Sequence, residues 1–299
     1  MSDSPAGDGT GGELVLVSTP IGNLGDLSPR AAATLSAADV VCCEDTRHTG
    51  TMLKRLGITT RRMLSLHAHN EASRLPMLLE ELISGHLVAL VSDAGTPAVS
   101  DPGERLVAAA AEAGVRVSVI PGPSAVLAAI VVSGMGIGRW RFEGFLPRKG
   151  GERRVRLADV ASSPCPSICY ESPQRLAATL ADLVQACGPE RRVAVCRELT
   201  KLHEEVRRST LAEAVSHFAV TVPRGEFVLV VDGQAADAPP LDVPSSHDLA
   251  EAVSERVASG ASRRDAVREV AGRLGVARST VYEAAIRPAG SQGGPVGDR

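Results

Sequence analysis

Glu171, Lys201, Glu44, Asp45 and Arg47 are the candidates for moving a proton or holding a charge. Each lies at or near the end of an apolar, strand-like run, where a cleft would form. A positioned base, or a cation that lowers the pKa of a hydroxyl, adds about 10²–10⁴-fold to a proton-dependent step. Surface solvation or structural ion pairing is the competing reading for each of them. His48, His67, His69 and His203 are further candidates, but nothing in their spacing separates them from polar loop residues.

Around these residues lie three loops of Gly, Pro, Ser and Thr that suit a compact, nucleotide-like ligand held by main-chain groups. Ser18-Thr19-Pro20-Ile21-Gly22-Asn23-Leu24 follows the apolar run Leu14–Val17 and leads into Ser28-Pro29-Arg30, a helix start with Ser as cap and Pro at the first position. Similar joints recur at Ser92-Asp93-Ala94-Gly95-Thr96-Pro97 and at Ile120-Pro121-Gly122-Pro123-Ser124-Ala125. One such joint is an ordinary turn; three predict a ligand pocket. Its expected lining is Pro20, Gly22, Gly95, Thr96, Pro97, Val99, Ser124 and Ala125. The chain has neither the Gly-x-Gly-x-x-Gly fingerprint after Leu14–Ser18 nor a Gly-Lys-Ser/Thr sequence, so dinucleotide and P-loop sites are excluded. No His/Cys cluster has zinc-ligand spacing, and no metal is expected.

The elements that must position these loops alternate. Strands are predicted at Leu14–Ser18, Asp39–Cys43, Leu87–Val91 and Val115–Ile120, with helices at Ser28–Ala38, Thr49–Leu56, Asn70–Ser84 and Pro102–Ala113. That pattern argues for a mainly parallel sheet. It resumes with strands at Ser167–Tyr170, Val193–Cys196 and Glu226–Val231 and a helix at Pro173–Cys187, a second α/β unit. The expected fold class is therefore α/β. Its organisation is a tail over 1–12, an N-terminal α/β domain over 13–121, a second over 122–232, a Pro-rich linker over 233–246, a helical module over 247–288 and a tail over 289–299.

That module has helical patterns at His247–Ala258, Ser262–Leu274 and Arg278–Ile286. Ala271, Gly275 and Val281 hold the spacing of a helix-turn-helix. Arg263, Arg264, Arg268, Arg273 and Arg278 make it a candidate for phosphate-backbone contact; a packing module of three helices is the alternative.

Composition narrows the classes. Net charge is −3, so nucleic-acid contact must come from a local basic patch. Aromatics are 2% of residues, which leaves little capacity for base stacking; Trp140, Phe142 and Phe145 read as core or interface. The six cysteines form no Cys-x-x-Cys pair and read as buried free thiols, pointing to the cytoplasm. Residues 2–12 lack the features of a signal peptide, and no apolar stretch is long enough to span a bilayer.

The motifs also fall into one pattern. Thr19–Leu24, Cys43-Glu44-Asp45-Thr46-Arg47, Val91–Pro97 with Ser100-Asp101-Pro102-Gly103, Pro121–Ala125, Phe145-Leu146-Pro147-Arg148-Lys149, Tyr170-Glu171-Ser172-Pro173-Gln174-Arg175 and Arg197-Glu198-Leu199-Thr200-Lys201 occur in order. Together they resemble the ribosomal RNA small-subunit methyltransferase I family of the tetrapyrrole methylase superfamily, from about Leu14 to Asp232. The C-terminal helices resemble that family's appended domain.

The resemblance implies two α/β domains with S-adenosylmethionine folded into the cleft between them, and usually a homodimer. The implied reaction is 2′-O-methylation of a cytidine ribose in the decoding region of 16S rRNA, with the 30S subunit as partner. Relatives acting on corrin precursors or making diphthine carry Gly-Asp-Pro where this chain has Gly95-Thr96-Pro97, so no acid role is carried over there. Ala68 stands where an acidic residue is common in the family. Two other classes remain: a small-molecule methyltransferase of the corrin or diphthine type, and a nucleic-acid-binding regulator with a ligand-sensing domain. The first has no need of a basic tail; the second does not explain the seven motifs.

Overall fold

The structure is a computed structural model that describes residues 11–234, 246–274, 276 and 278–286. The expected tails over 1–12 and 289–299, most of the linker and Gly275 thus lie largely or wholly outside the described residues. The chain divides into two units, Met1–Leu146 with Cys165–Gly233, and Pro147–Pro164 with Gln234–Arg299.

The first unit opens with β1 (Glu13–Val17), α1 (Pro29–Ala37), β2 (Val40–Cys43), α2 (Thr46–Arg55), β3 (Met63–Ser65), α3 (Glu71–Ile83), β4 (Leu87–Val91), α4 (Glu104–Glu112) and β5 (Arg116–Ile120). All five strands pair in parallel, in the order β3-β2-β4-β1-β5. The period of two along each strand sends residues to opposite faces. Val15, Val17, Val41 and Ala89 pack with Ala31 and Leu35 of α1 and Leu53 of α2. Leu14, Val40, Val88 and Leu90 pack with Leu78 and Leu82 of α3 and Leu106 of α4. The sheet is thus covered on both faces, as its near-continuous apolar strands require.

Helix starts follow their caps. Ser28 accepts from Ala31 N–H, and Pro29 takes the first position of α1. Helix α2 begins at Thr46, three residues earlier than the predicted Thr49, because Asp45 caps it by accepting from Arg47 N–H. Helix α4 begins two residues later than the predicted Pro102, because Gly103 sits at φ +123°, outside helical space.

The chain continues through α5 (Ala125–Ser133), β6 (Arg141–Phe145), α6 (Gly150–Ser162, in the second unit), β7 (Ser167–Glu171), α7 (Pro173–Cys187), β8 (Arg192–Arg197), β9 (Glu205–Thr210), α8 (Leu211–Val220) and β10 (Phe227–Val231). The second sheet has the order β6-β7-β10-β8-β9. Only β6 and β7 are parallel; β10 runs antiparallel to β7 and β8, and β9 to β8. Helix α5 packs Val126, Ala129 and Ile130 against Ile168, Cys196 and Val228 of this sheet. Five of the six cysteines are buried and all are free.

In the second unit, α9 (Ser246–Ala258), α10 (Arg263–Leu274) and α11 (Arg278–Ile286) share a core of Leu249, Val253, Ala266, Val270, Ala271 and Val281. Among the described residues no helix is long and apolar enough to cross a membrane.

Candidate active site

The three loops at the carboxyl ends of β1, β4 and β5 are knitted together. Thr19 and Gly95 exchange backbone hydrogen bonds at 2.9 and 3.0 Å. Thr19 Oγ1 donates to the Ser92 carbonyl at 3.1 Å. Thr96 Oγ1 lies 3.3 Å from Ser18 Oγ and 3.5 Å from the Pro123 carbonyl. A Cβ at Gly122 would stand 2.9 Å from Ser18 Cβ, so that approach requires glycine. Gly95 itself holds φ +84°. In a parallel sheet this end, where β1 and β4 send their connections in opposite directions, is where ligands bind.

The loops form one wall of a cavity of about 350 Å³. Ile21, Gly95, Thr96, Val99, Ser124 and Ala125 line it from this side, with Asp93, Ser100 and Asp101. The second sheet supplies the other wall: Phe145, Tyr170, Glu171, Ser172, Leu199, Glu226 and Phe227. Of the expected pocket residues, Pro20, Gly22 and Pro97 lie on the same loops but do not line the cavity.

The residues 13–215 match the family model of tetrapyrrole (corrin/porphyrin) methylases. The chain belongs to the tetrapyrrole methylase family. Within it, the chain is 45% identical over 92% of its length to the ribosomal RNA small subunit methyltransferase I of Synechocystis sp., covering 98% of that protein. It is 46% identical over 95% of its length to the protein of the same name from Mycobacterium tuberculosis, again covering 98% of it. Its fold is similar to that of the methyltransferase CobJ, with a TM-score of 0.57 at 22% identity over 77% of this chain and 97% of that one.

The cleft of this methylase is acidic. Asp93, Asp101, Glu171 and Glu226 all border it. Burial, reinforced by Glu44 and Asp93, pushes the Asp101 carboxyl up to about 6. Burial, with Asp101 adding to it, pushes the Tyr170 hydroxyl up to about 12. The phenol stacks edge-on against Phe142 and tilts toward Phe145.

Glu171 projects to the cleft but is almost fully engaged. Its Oε1 accepts from Ser172 N–H at 2.8 Å and lies 3.4 Å from Arg175 Nε, and its Oε2 accepts from Thr179 Oγ1 at 2.6 Å. Only 3% of it is exposed.

Lys201 lies beside Gly22, whose Cβ would stand 2.3 Å from Lys201 Cγ. Its ammonium donates to Glu198 at 2.9 Å and Glu226 at 3.0 Å. Burial opposes the charge, but these two carboxylates outweigh it and raise the pKa, so Lys201 is a fixed cation rather than a base.

Asp45 and Arg47 pair with each other on an exposed face. The Arg47 side chain holds the Asp45 carboxyl down to about 2. Asp45 N–H donates to Asp93 at 3.3 Å, so the pair borders the acidic wall without lining it.

Two loops at this site hold unusual backbone. The non-glycine residues with positive φ among the described residues are Ala98 and Ser100, beside Asp101, and Glu198 and Thr200, beside Lys201. Such conformations cost about 1–3 kcal/mol each and collect at functional sites. Asp93, Asp101, Tyr170 and Glu226 are the ionisable residues of the cleft that sequence reasoning did not single out. Asp101 carried a signal, an acid ahead of Pro102-Gly103 just beyond a strand-end loop.

The tail arginines are placed separately. Arg263, Arg264, Arg268 and Arg273 lie on α10 and Arg278 opens α11, all in the second unit.

Proposed function

We propose that this protein methylates the ribose 2′-hydroxyl of a cytidine in the decoding region of 16S rRNA, within the 30S subunit, using S-adenosylmethionine. The observation that carries this reading is the acid-lined cleft at the ends of β1, β4 and β5, in a chain close to relatives named for small-subunit rRNA. The cleft chemistry fits the donor: the carboxyl groups of Asp93 and Asp101 suit a sulfonium cation, while Ile21, Val99, Phe145 and Leu199 suit an adenine ring. When bound, S-adenosylmethionine supplies an electrophilic methyl group and departs as a neutral thioether.

The protein's own contribution is alignment, exclusion of water and proton handling. Orientation supplies up to roughly 7–11 kcal/mol in favourable cases. Pro20, Gly22, Gly95, Thr96, Pro97, Val99, Ser124 and Ala125 shape the cofactor side. Asp101 takes the proton of the ribose hydroxyl, because a carboxyl held near 6 is ionised at neutral pH yet retains basicity. Glu171 fixes the turn that carries Tyr170 and Ser172 into the cleft. Lys201 fixes Glu226 and the loop over Gly22. Asp45 and Arg47 brace Asp93.

In the same reading Arg263, Arg264, Arg268 and Arg278 dock rRNA through phosphates, with Arg273 on α10 outside the groove that those four line, and the chain works in the cytoplasm as a homodimer. Leu127 and Val131, one turn apart on α5 and 53% and 66% exposed, supply an apolar face for the second copy. A sedimentation mass of one chain would remove the dimer. Labelled S-adenosylmethionine offered with 30S subunits, naked rRNA or tetrapyrrole precursors tests the reaction; label confined to a tetrapyrrole would overturn it.

A further inference from the structure

We propose that the groove between α10 and α11 is a binding site for single-stranded RNA, with backbone phosphates on its arginines and a base stacked on Tyr282. This rests on the reading that the protein acts on rRNA. The groove has a volume of about 600 Å³ and is lined by Arg263, Arg264, Val267, Arg268, Arg278, Ser279 and Tyr282. No carboxylate lines it. Arg268 is tied to Asp265 at 2.7 Å, whereas Arg263 and Arg278 have no ion-pair partner among the described residues. Positions 263, 264, 267 and 268 form one face of α10, and 278, 279 and 282 one face of α11, so the guanidinium groups converge on one concavity. The opening turn of α11 borders it, and the start of a helix favours an anion.

Tyr282 gives the site more than charge. This residue, one of only two tyrosines in the chain, is 52% exposed, and Val267 supplies an apolar neighbour in the groove. Arginines with one open aromatic ring match an unpaired strand, whose bases are free to stack, better than a duplex, whose bases are not.

The test is binding of the full-length protein to a short mixed-sequence single-stranded RNA across a salt series, with methylation of 30S subunits followed in parallel. Tyr282→Ala should weaken binding about tenfold or more without altering the salt slope, and Tyr282→Phe should restore it. Arg263→Ala and Arg278→Ala should each flatten the slope by about 0.7, the value for one single-strand phosphate contact. Arg273→Ala, outside the groove, should leave the slope nearly unchanged. Wild-type binding by Tyr282→Ala, or equal effects of Arg273→Ala and Arg263→Ala, overturns the groove, even if 30S methylation persists. Conversely, Tyr282-dependent RNA binding by a protein that fails to methylate rRNA would sustain the groove and sink the proposed reaction.

Discussion

Glu71 caps Gly103 from 32 residues away. One carboxylate oxygen, on the first residue of α3, accepts Gly103 N–H at 3.2 Å and also Arg105 and Leu106 N–H at 3.0 and 3.3 Å. Gly103 has no side chain to cap α4, so a buried acid from another helix satisfies its opening turn. The loop held this way carries Val99, Ser100 and Asp101 into the cleft.

Glu71→Ala should therefore cost about 1–3 kcal/mol of stability, as three N–H groups lose their acceptor. It should also weaken S-adenosylmethionine binding, and Glu71→Gln, which keeps an acceptor, should recover much of both. Thermal melts and calorimetry read the two effects. Unchanged cofactor affinity in a folded Glu71→Ala protein would separate this cap from the site.

The Asp101 carboxyl makes the cleft sensitive to pH. Its folded-state value of about 6 lies above the roughly 3.9 of an unfolded aspartate, so the folded protein binds the extra proton between those values. Stability that it contributes is present below about pH 4 and lost as pH rises through 6. Asp101→Asn should accordingly raise the Tm above pH 6, with the gain fading below about pH 4. A cation prefers the ionised carboxyl, so affinity for S-adenosylmethionine should fall by up to about tenfold per pH unit below 6 in the wild type and stay flat in Asp101→Asn. Parallel pH profiles for the two proteins would remove Asp101 from the cofactor side.

At Gly95 the backbone decides. A side chain at φ +84° costs about 1–2 kcal/mol, and a Cβ there would lie 3.4 Å from Ile21 Cγ2. Gly95→Leu should remain folded and lose most cofactor affinity by filling the pocket. Calorimetry showing wild-type binding would count against the three-loop pocket.

Much of the first sheet was legible because parallel strands buried on both faces read as short apolar runs, as at Leu14–Val17 and Leu87–Val91. Strand β6 was hidden by its bulge between Phe142 and Gly144, and β9 by the charge of Glu205-Val206-Arg207-Arg208 on a sheet edge. The pocket-lining roles of Gly95, Thr96, Ser124 and Ala125 follow from loop chemistry at strand ends. The state of Asp101 does not, because its pKa depends on burial and on Glu44 and Asp93, which are near it only in space.

Glu171 offers a fourth check. With both oxygens committed to Ser172, Thr179 and Arg175, Glu171→Gln should bind cofactor nearly normally and yet lose turnover by at least about tenfold, or ~1.4 kcal/mol of transition-state stabilisation. Turnover within a few-fold of wild type would show that the turn carrying Tyr170 and Ser172 keeps its place without the Glu171 carboxylate.

The central claim is the identity of the methyl acceptor. The most direct measurement is nuclease digestion of 16S rRNA after 30S subunits have been incubated with the protein and methyl-labelled S-adenosylmethionine. The predicted result is one labelled, alkali-resistant dinucleotide whose methyl group sits on the 2′-oxygen of a cytidine from the decoding region. Label on a base, at another site, or absent from rRNA while a tetrapyrrole precursor accepts it, would contradict the account.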